Sequence, residues 1–162
     1  MASLDLSAYF RRTGFEGAAQ ADLASLRALH FAHATSIPFE NLAIQMGEGV
    51  SLDLDAIQDK LLRRGRGGYC FEQNSLFLAV LREVGFEAEP FEARVRGGEQ
   101  VRPRTHMLLR VRLPEGDHLA DVGFGGEGLL HPVPMDGEVH PQFGRAYRVG
   151  EEGALRVLQS RQ

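Results

Sequence analysis

The residue best suited to nucleophilic chemistry is Cys70, the only cysteine in the chain. It lies in residues 66–72 (RGGYCFE), where a glycine-rich loop leads into an apolar segment of helical character. The first turn of a helix presents free backbone N–H groups and the positive end of the helix dipole, and both stabilise a thiolate. A lone cysteine is more often a small buried side chain with no chemical role. The position of Cys70 nevertheless leads us to predict that it is a nucleophile.

A thiol nucleophile needs a base, and the chain contains six histidines. His30 and His33 fall on the apolar stripe of a predicted helix, where hydrogen-bonded structural histidines are expected. They have no carboxylate or thiol at a spacing that would complete a metal site. His106 instead begins a strongly apolar predicted strand, and Asp121 ends the next one. These two residues are the candidate partners of Cys70.

The spacing of His106 and Asp121 supports this pair only in part. An ideal hairpin with a four-residue loop after Leu113 places His118 opposite Leu113 and Asp121 opposite Arg110. His106 then shares a face of the sheet with Asp121 but lies about 13 Å along the strand. Contact would require a bulge or a strong twist. The alternative for Asp121 is a strand-end residue that accepts hydrogen bonds from a turn.

Composition narrows the class of protein. A chain of 162 residues can form one domain or two small ones with a sizeable core. The net charge is -4, and basic residues cluster only at Arg63, Arg64 and Arg66, which argues against nucleic acid as a partner. No apolar run approaches the ~20 residues of a membrane span, and the N-terminus does not resemble a signal peptide. We expect a soluble, cytoplasmic protein with no membrane partner and no metal.

The elements change from helical to extended along the chain. Apolar residues recur at spacings of three and four in residues 21–33 and 54–61, which predicts two amphipathic helices. The segment after Cys70 is apolar on nearly every face, which predicts a central buried helix ending at Gly85. Beyond Gly85 the period becomes two. We predict strands at residues 91–95, 107–113, 118–122, 146–149 and 154–158. Helices followed by strands indicate an α+β protein.

Four segments, taken in order, resemble the arylamine N-acetyltransferase family. Each is weak alone, but together they form a specific signal: residues 37–42 (IPFENL), 66–72 (RGGYCFE), 105–107 (THM) and 120–125 (ADVGFG). The resemblance implies that Cys70, His106 and Asp121 form a catalytic triad. It also implies a helical domain at 1–85 carrying the cysteine and an antiparallel β-barrel domain at 86–162 carrying the histidine and aspartate. That architecture is similar to cysteine proteases and transglutaminases.

The same resemblance implies a reaction and its binding residues. By the resemblance, acetyl-coenzyme A is the expected co-substrate, no permanently bound cofactor is expected, and a small aromatic amine or hydrazine is expected to accept the acetyl group through an acetyl-cysteine intermediate. Phe124 is expected to line the acceptor pocket. Gly125 and Gly126 are candidate coenzyme-binding residues, although a tight turn explains these glycines equally well. Arg66 and Glu40 are expected to pair and to support the catalytic loop.

Family members are longer and continue into a third, mixed α/β domain, which this sequence is expected to lack. Two alternatives therefore stay open: a slow or inactive remnant that reacts with acyl-coenzyme A without turnover, and a Cys-His-Asp amide hydrolase or transglutaminase-like enzyme. The motifs at residues 37–41 and 67–72 disfavour the second. A cleft exposed by a missing domain also predicts self-association, which would cover it.

Overall fold

The computed structural model describes residues 3–96 and 102–162, and helices occupy the first part of the chain. Their bounds are α1 at Leu6–Thr13, α2 at Leu23–Ser36, α3 at Leu42–Gln45, α4 at Leu54–Gln58, a π-helical turn at Asp59–Arg63 that continues α4, and α5 at Cys70–Val84. Local signals explain several of these ends. The Asp22 carboxylate accepts a hydrogen bond from the backbone N–H of Ser25 at 2.7 Å and caps α2. Gly85 ends α5 in the left-handed conformation, with φ of +106°.

Helix α5 is central, as its apolar pattern predicts. Its residues Leu76, Phe77, Val80 and Leu81 are fully buried. They belong to one core that includes residues of the other helices and of the first strands. A helix packed into this core keeps its first residue, Cys70, in a constant place relative to the sheet.

In the part of the chain that the structure describes, seven strands form two antiparallel sheets. The strands are β1 at Glu87–Ala93, β2 at His106–Leu113, β3 at Gly116–Ala120, β4 at Val133–Pro134, β5 at His140–Gln142, β6 at Arg145–Glu152 and β7 at Leu155–Arg161. The first sheet has the order β1-β2-β3-β4 and the second the order β5-β6-β7. A second apolar cluster joins the two sheets, and it includes Leu108, Leu119 and Val133 from the first and Tyr147 and Val149 from the second. The α+β class is confirmed.

The expected β-barrel is not found: within residues 3–96 and 102–162 neither sheet closes on itself. Strand β4, which would have to continue the first sheet toward closure, contains only Val133 and Pro134. Proline has no backbone N–H to donate to a further strand, so pairing stops there. The first sheet therefore stays open between β1 and β4.

The register of the β2–β3 hairpin also differs from the expected one. Leu113 pairs with Gly116 and Val111 with His118, so the connecting loop is Pro114 and Glu115 rather than four residues. Gly116 has φ of +124°, a conformation that a side chain would disfavour and that lets the chain reverse early. The shorter loop moves the end of β3 two residues closer to the start of β2 than the sequence-based register had placed it.

Among the described residues, no helix combines the length and the apolar character needed to cross a lipid bilayer.

Candidate active site

Cys70 is the first residue of α5 and is buried. The loop before it is tied to the first half of the chain by backbone hydrogen bonds: Gly68 N–H donates to the carbonyl of Pro38 at 3.2 Å, and Glu40 N–H donates to the carbonyl of Gly68 at 3.0 Å. A Cβ atom on Gly67 would collide with the Pro38 carbonyl oxygen. The glycines preceding Cys70 therefore allow two backbone segments to approach closely, which fixes the start of the helix.

A buried group of charged side chains supports the same loop. Both carboxylate oxygens of Glu72 lie 2.9 Å from Lys60 Nζ, and Glu72 Oε2 also accepts a hydrogen bond from the backbone N–H of Tyr69 at 3.0 Å. Lys60 Nζ lies 3.8 Å from Glu40 Oε1. Glu40 Oε1 in turn lies 2.9 Å from a terminal guanidinium nitrogen of Arg66. The expected contact between Glu40 and Arg66 is present, and Lys60 extends it to Glu72 in the first turn of α5.

Replacing Lys60 with methionine is expected to lower the free energy of unfolding by about 3 kcal/mol, because a buried carboxylate at Glu72 is left without its cation. The double variant Lys60→Met/Glu72→Gln removes that charge and should lose less than the single variant. Urea unfolding measures both values. Arg63→Met is the matched control, since Arg63 pairs with Asp59 on an exposed surface at 3.9 Å and should contribute little. Equal losses for Lys60→Met and Arg63→Met would contradict the prediction.

His106 and Asp121 are in direct contact. His106 is the first residue of β2, Asp121 follows the last residue of β3, and the two atoms Nε2 and Oδ2 are 2.6 Å apart. Both side chains are buried. The ring of Phe124 stands edge-on to the imidazole, with ring centroids 5.2 Å apart. The structure thus joins two residues that the sequence places on the same face of a sheet but not within reach of one another.

The electrostatic surroundings of His106 favour its charged form. Burial lowers the pKa of His106, but hydrogen bonds to the Asp121 carboxylate and to Cys70, together with the negative charges of both groups, raise it to about 9 overall. The ring is therefore an imidazolium at neutral pH. A cation at this position can stabilise a thiolate on Cys70.

The backbone of Asp121 is held from the helical side of the molecule by His30. His30 Nε2 accepts a hydrogen bond from the backbone N–H of Asp121 at 3.1 Å, and its Nδ1–H donates to the carbonyl of Leu130 at 3.1 Å. Burial lowers the pKa of His30 to about 4, so the ring stays neutral and both bonds are satisfied by one tautomer. The expectation that this histidine is structural and hydrogen-bonded is met, but its partner 91 residues away could not be read from the helix pattern.

Two further residues at the site were not singled out in the sequence. Gly123 lies against the start of α5, where a Cβ atom would be 2.8 Å from Cys70 Cα and 2.9 Å from the Cys70 carbonyl oxygen. Asn74 lies one helical turn after Cys70, and its side-chain amide donates to Asp121 Oδ1 at 3.0 Å. The four-residue spacing of Cys70 and Asn74 on one helix face is the signal that sequence analysis could have used.

Phe124, Gly125 and Gly126 lie in the loop after Asp121. Phe124 is 43% exposed. Gly125 has φ of +73° and lies against Phe39, whose Cγ would be 2.9 Å from an added Cβ. Gly126 also has a positive φ, and the turn is closed by a 2.8 Å hydrogen bond from Gly128 N–H to the Gly125 carbonyl. These glycines form a tight turn beside the site, and their role in binding stays a prediction.

Comparison with known proteins identifies relatives of this arrangement. A family model described as N-acetyltransferase matches residues 22–162. The arylamine N-acetyltransferase of Escherichia coli (strain K12) is 43% identical over 157 residues, which cover 95% of this chain and 56% of that protein. Solved structures of similar fold carry the same family name. The arylamine N-acetyltransferase from Salmonella typhimurium superposes with a TM-score of 0.92 at 39% identity, covering 99% of this chain and 60% of that one.

A third relative, the Mycobacterium marinum arylamine N-acetyltransferase, was solved in complex with CoA. It superposes with a TM-score of 0.91 at 36% identity, covering 96% of this chain and 60% of that one. The chain therefore spans little more than half of the length of the relatives that it matches, while almost all of its own length is matched.

Proposed function

The chain belongs to the arylamine N-acetyltransferase family, and from this premise we propose that it transfers acetyl from acetyl-coenzyme A to the nitrogen of an arylamine or arylhydrazine. The observation that carries the proposal is the buried contact of His106 with Asp121 beside Cys70 at the start of α5. The CoA complex of the Mycobacterium marinum relative supports the choice of acyl donor.

In the first step, the Cys70 thiolate attacks the carbonyl carbon of the acetyl thioester. A new carbon–sulfur bond forms to Cys70, the bond to the coenzyme sulfur breaks, and the coenzyme leaves as a thiol after taking the proton of the His106 imidazolium. Exchange of one thioester for another needs little change in bond energy. Free N–H groups in the first turn of α5 stabilise the oxyanion that develops during the attack.

In the second step, the amine nitrogen attacks the acetyl-cysteine. A carbon–nitrogen bond forms, Cys70 leaves as a thiolate, and the neutral His106 accepts the proton that the nitrogen loses. The imidazolium–thiolate pair is thereby restored. Asp121 keeps Nε2 of His106 occupied, which leaves the other ring nitrogen to give and take the proton in both steps.

The loop after Asp121 supplies the proposed binding residues. The exposed ring of Phe124 beside His106 suits contact with an aromatic acceptor, and the backbone of Gly125 and Gly126 suits contact with the coenzyme. Glu40 and Arg66 support the Cys70 loop through their ion pair. Self-association of the chain stays a prediction.

Intact-mass measurement after mixing with acetyl-coenzyme A tests this proposal. We expect one acetyl group on the protein and one equivalent of free coenzyme thiol, with loss of the adduct when a simple arylamine is added. The Cys70→Ala variant is the control and should acquire no acetyl group, because it has no sulfur to receive it.

Each other outcome of this experiment identifies a different alternative. An adduct that persists in the presence of arylamine would indicate a remnant that reacts without turnover. Absence of any adduct would contradict the proposed transfer. Product release from a peptide or glutaminyl substrate without acyl-coenzyme A would favour the hydrolase or transglutaminase alternative instead.

A further inference from the structure

Asn74 is a fully buried polar side chain whose part in the site follows from its contacts. It lies on α5 four residues after Cys70, so the two side chains project from the same face of the helix one turn apart. A buried amide must find hydrogen-bond partners, since leaving one of its groups unpaired costs about 1–3 kcal/mol. The hydrogen-bond partners of Asn74 therefore show which parts of the site its side chain keeps in position.

The Asn74 amide bonds to three groups on two other segments. Its Nδ2 donates to the carbonyl of Met107 at 2.8 Å and to Asp121 Oδ1 at 3.0 Å, and its Oδ1 accepts from the backbone N–H of Val122 at 3.1 Å. The orientation of the amide is determined by these partners, because two acceptors must meet the nitrogen and one donor must meet the oxygen. A rotated amide would lose all three bonds.

These bonds determine which oxygen of Asp121 is available to His106. Asp121 Oδ1 accepts from Asn74 and from the backbone N–H of Gly123 at 2.9 Å, which leaves Oδ2 for Nε2 of His106. The hydrogen bond from Asn74 to the Met107 carbonyl holds the start of β2, where Met107 directly follows His106. One side chain on the cysteine's own helix thus contacts both segments that carry the other two residues of the site.

We propose that Asn74 is a positioning residue, which holds the Asp121 carboxylate and the start of β2 in place relative to Cys70. The inference deepens the proposed acetyl transfer and rests on it for its chemical purpose. Neither step of the proposed transfer requires Asn74 to contact the acetyl group or the reacting sulfur. It acts through Asp121 and His106.

The neighbouring residue Gln73 provides a matched comparison. Gln73 is also a fully buried amide on α5, but its Nε2 donates to the carbonyl of Pro38 at 3.0 Å and its Oε1 accepts from His33 Nε2 at 2.8 Å. Its partners belong to the helical part of the chain. Loss of either amide should destabilise the fold, whereas only loss of Asn74 should alter the surroundings of His106.

The test compares Asn74→Leu with Gln73→Leu, using NMR titration of the His106 imidazole in the full chain. In Asn74→Leu the Asp121 carboxylate loses one of the two donors that hold Oδ1, so we expect it to rotate away from His106 and the pKa of His106 to fall. In Gln73→Leu we expect a lower thermal unfolding midpoint and an unchanged pKa of His106. We also expect the rate of Cys70 acetylation at saturating acetyl-coenzyme A to fall roughly 10²-fold in Asn74→Leu, with KM unchanged.

An unchanged or higher pKa of His106 in folded Asn74→Leu would overturn the proposal, and so would an equal fall in Gln73→Leu. Asn74→Ser, whose hydroxyl is too short to reach Asp121, replaces the leucine variant if the latter does not fold. The unsubstituted protein offers an independent check: the side-chain NH₂ resonances of Asn74 should shift with pH in step with the His106 titration, and constant shifts would also overturn it. The titrations need no acetyl transfer, so they decide the role of Asn74 even if the proposed function fails.

Discussion

Replacement of Cys70 by serine is expected to lower the rate of arylamine acetylation by roughly 10⁴-fold or more. A serine hydroxyl must lose its proton to a base as it attacks, and it cannot form the thiolate–imidazolium pair that Cys70 can form with His106. A thiolate needs no such base because it forms an ion pair with the imidazolium. The side chains are similar in size, so the variant should fold.

Initial rates of coenzyme release in the presence of an arylamine measure this effect. Circular dichroism and the thermal unfolding midpoint establish that Cys70→Ser is folded. The variant should also fail to acquire acetyl in the intact-mass experiment. Retention of more than about one hundredth of the original rate would show that the thiolate at Cys70 is not the nucleophile.

Replacement of Asp121 by asparagine is expected to lower the same rate by roughly 10³–10⁴-fold. The amide has no negative charge with which to stabilise the imidazolium, and its NH₂ group can turn toward the ring and impose the wrong tautomer. The pKa of His106 should then fall from about 9, because burial continues to lower it while the Asp121 contribution is lost. NMR titration of the imidazole gives this value directly.

The Asp121→Asn variant should also respond differently to pH. His106 has a pKa raised from 6.5 to about 9 in the folded protein, so its contribution to stability is fully present below pH 6.5 and is lost as the pH rises toward 9. The difference in the free energy of unfolding between the original protein and Asp121→Asn should therefore be largest at about pH 6 and should shrink by about pH 9. Urea unfolding at several pH values measures it, and a difference that grows with pH would contradict the assignment.

The chain contains its own control for this substitution. Asp136 forms a comparable pair with His140, at 2.9 Å between Oδ1 and Nε2, with Asp136 exposed to solvent. Asp136→Asn removes an aspartate–histidine contact without touching Cys70 or His106. We expect its acetylation rate and its His106 titration to match those of the original protein.

Several features of this protein could be predicted from residues close together in the sequence. The loop-to-helix transition at Cys70 follows from glycines and an apolar run, and the helix does begin at that residue. Alternating apolar residues correctly placed β2, and the strands expected at residues 146–149 and 154–158 overlap β6 and β7. Four short motifs in order were sufficient to indicate the family, which the comparisons confirm.

The contact between His106 and Asp121 could not be predicted in this way. The expected hairpin register was wrong by two residues because Pro114-Glu115-Gly116-Asp117 has the composition of a longer turn, whereas the chain reverses after Glu115. A two-residue difference changes the separation along paired strands by about 7 Å. Loop length within a turn-forming segment depends on how the flanking strands pack, so periodicity alone does not determine it.

By itself, the sequence singled out the residues that we propose carry the chemistry, the helix that begins at Cys70, and the family. Tertiary structure alone decided the partners of the buried polar groups: Asn74 with Asp121, His30 with the Asp121 backbone, and Lys60 with Glu72. The sequence separations of these pairs range from 12 to 91 residues. Apolar burial leaves a periodic pattern along the chain. The partners of a buried polar group depend on which distant residues pack together, so they cannot be predicted from a local sequence pattern.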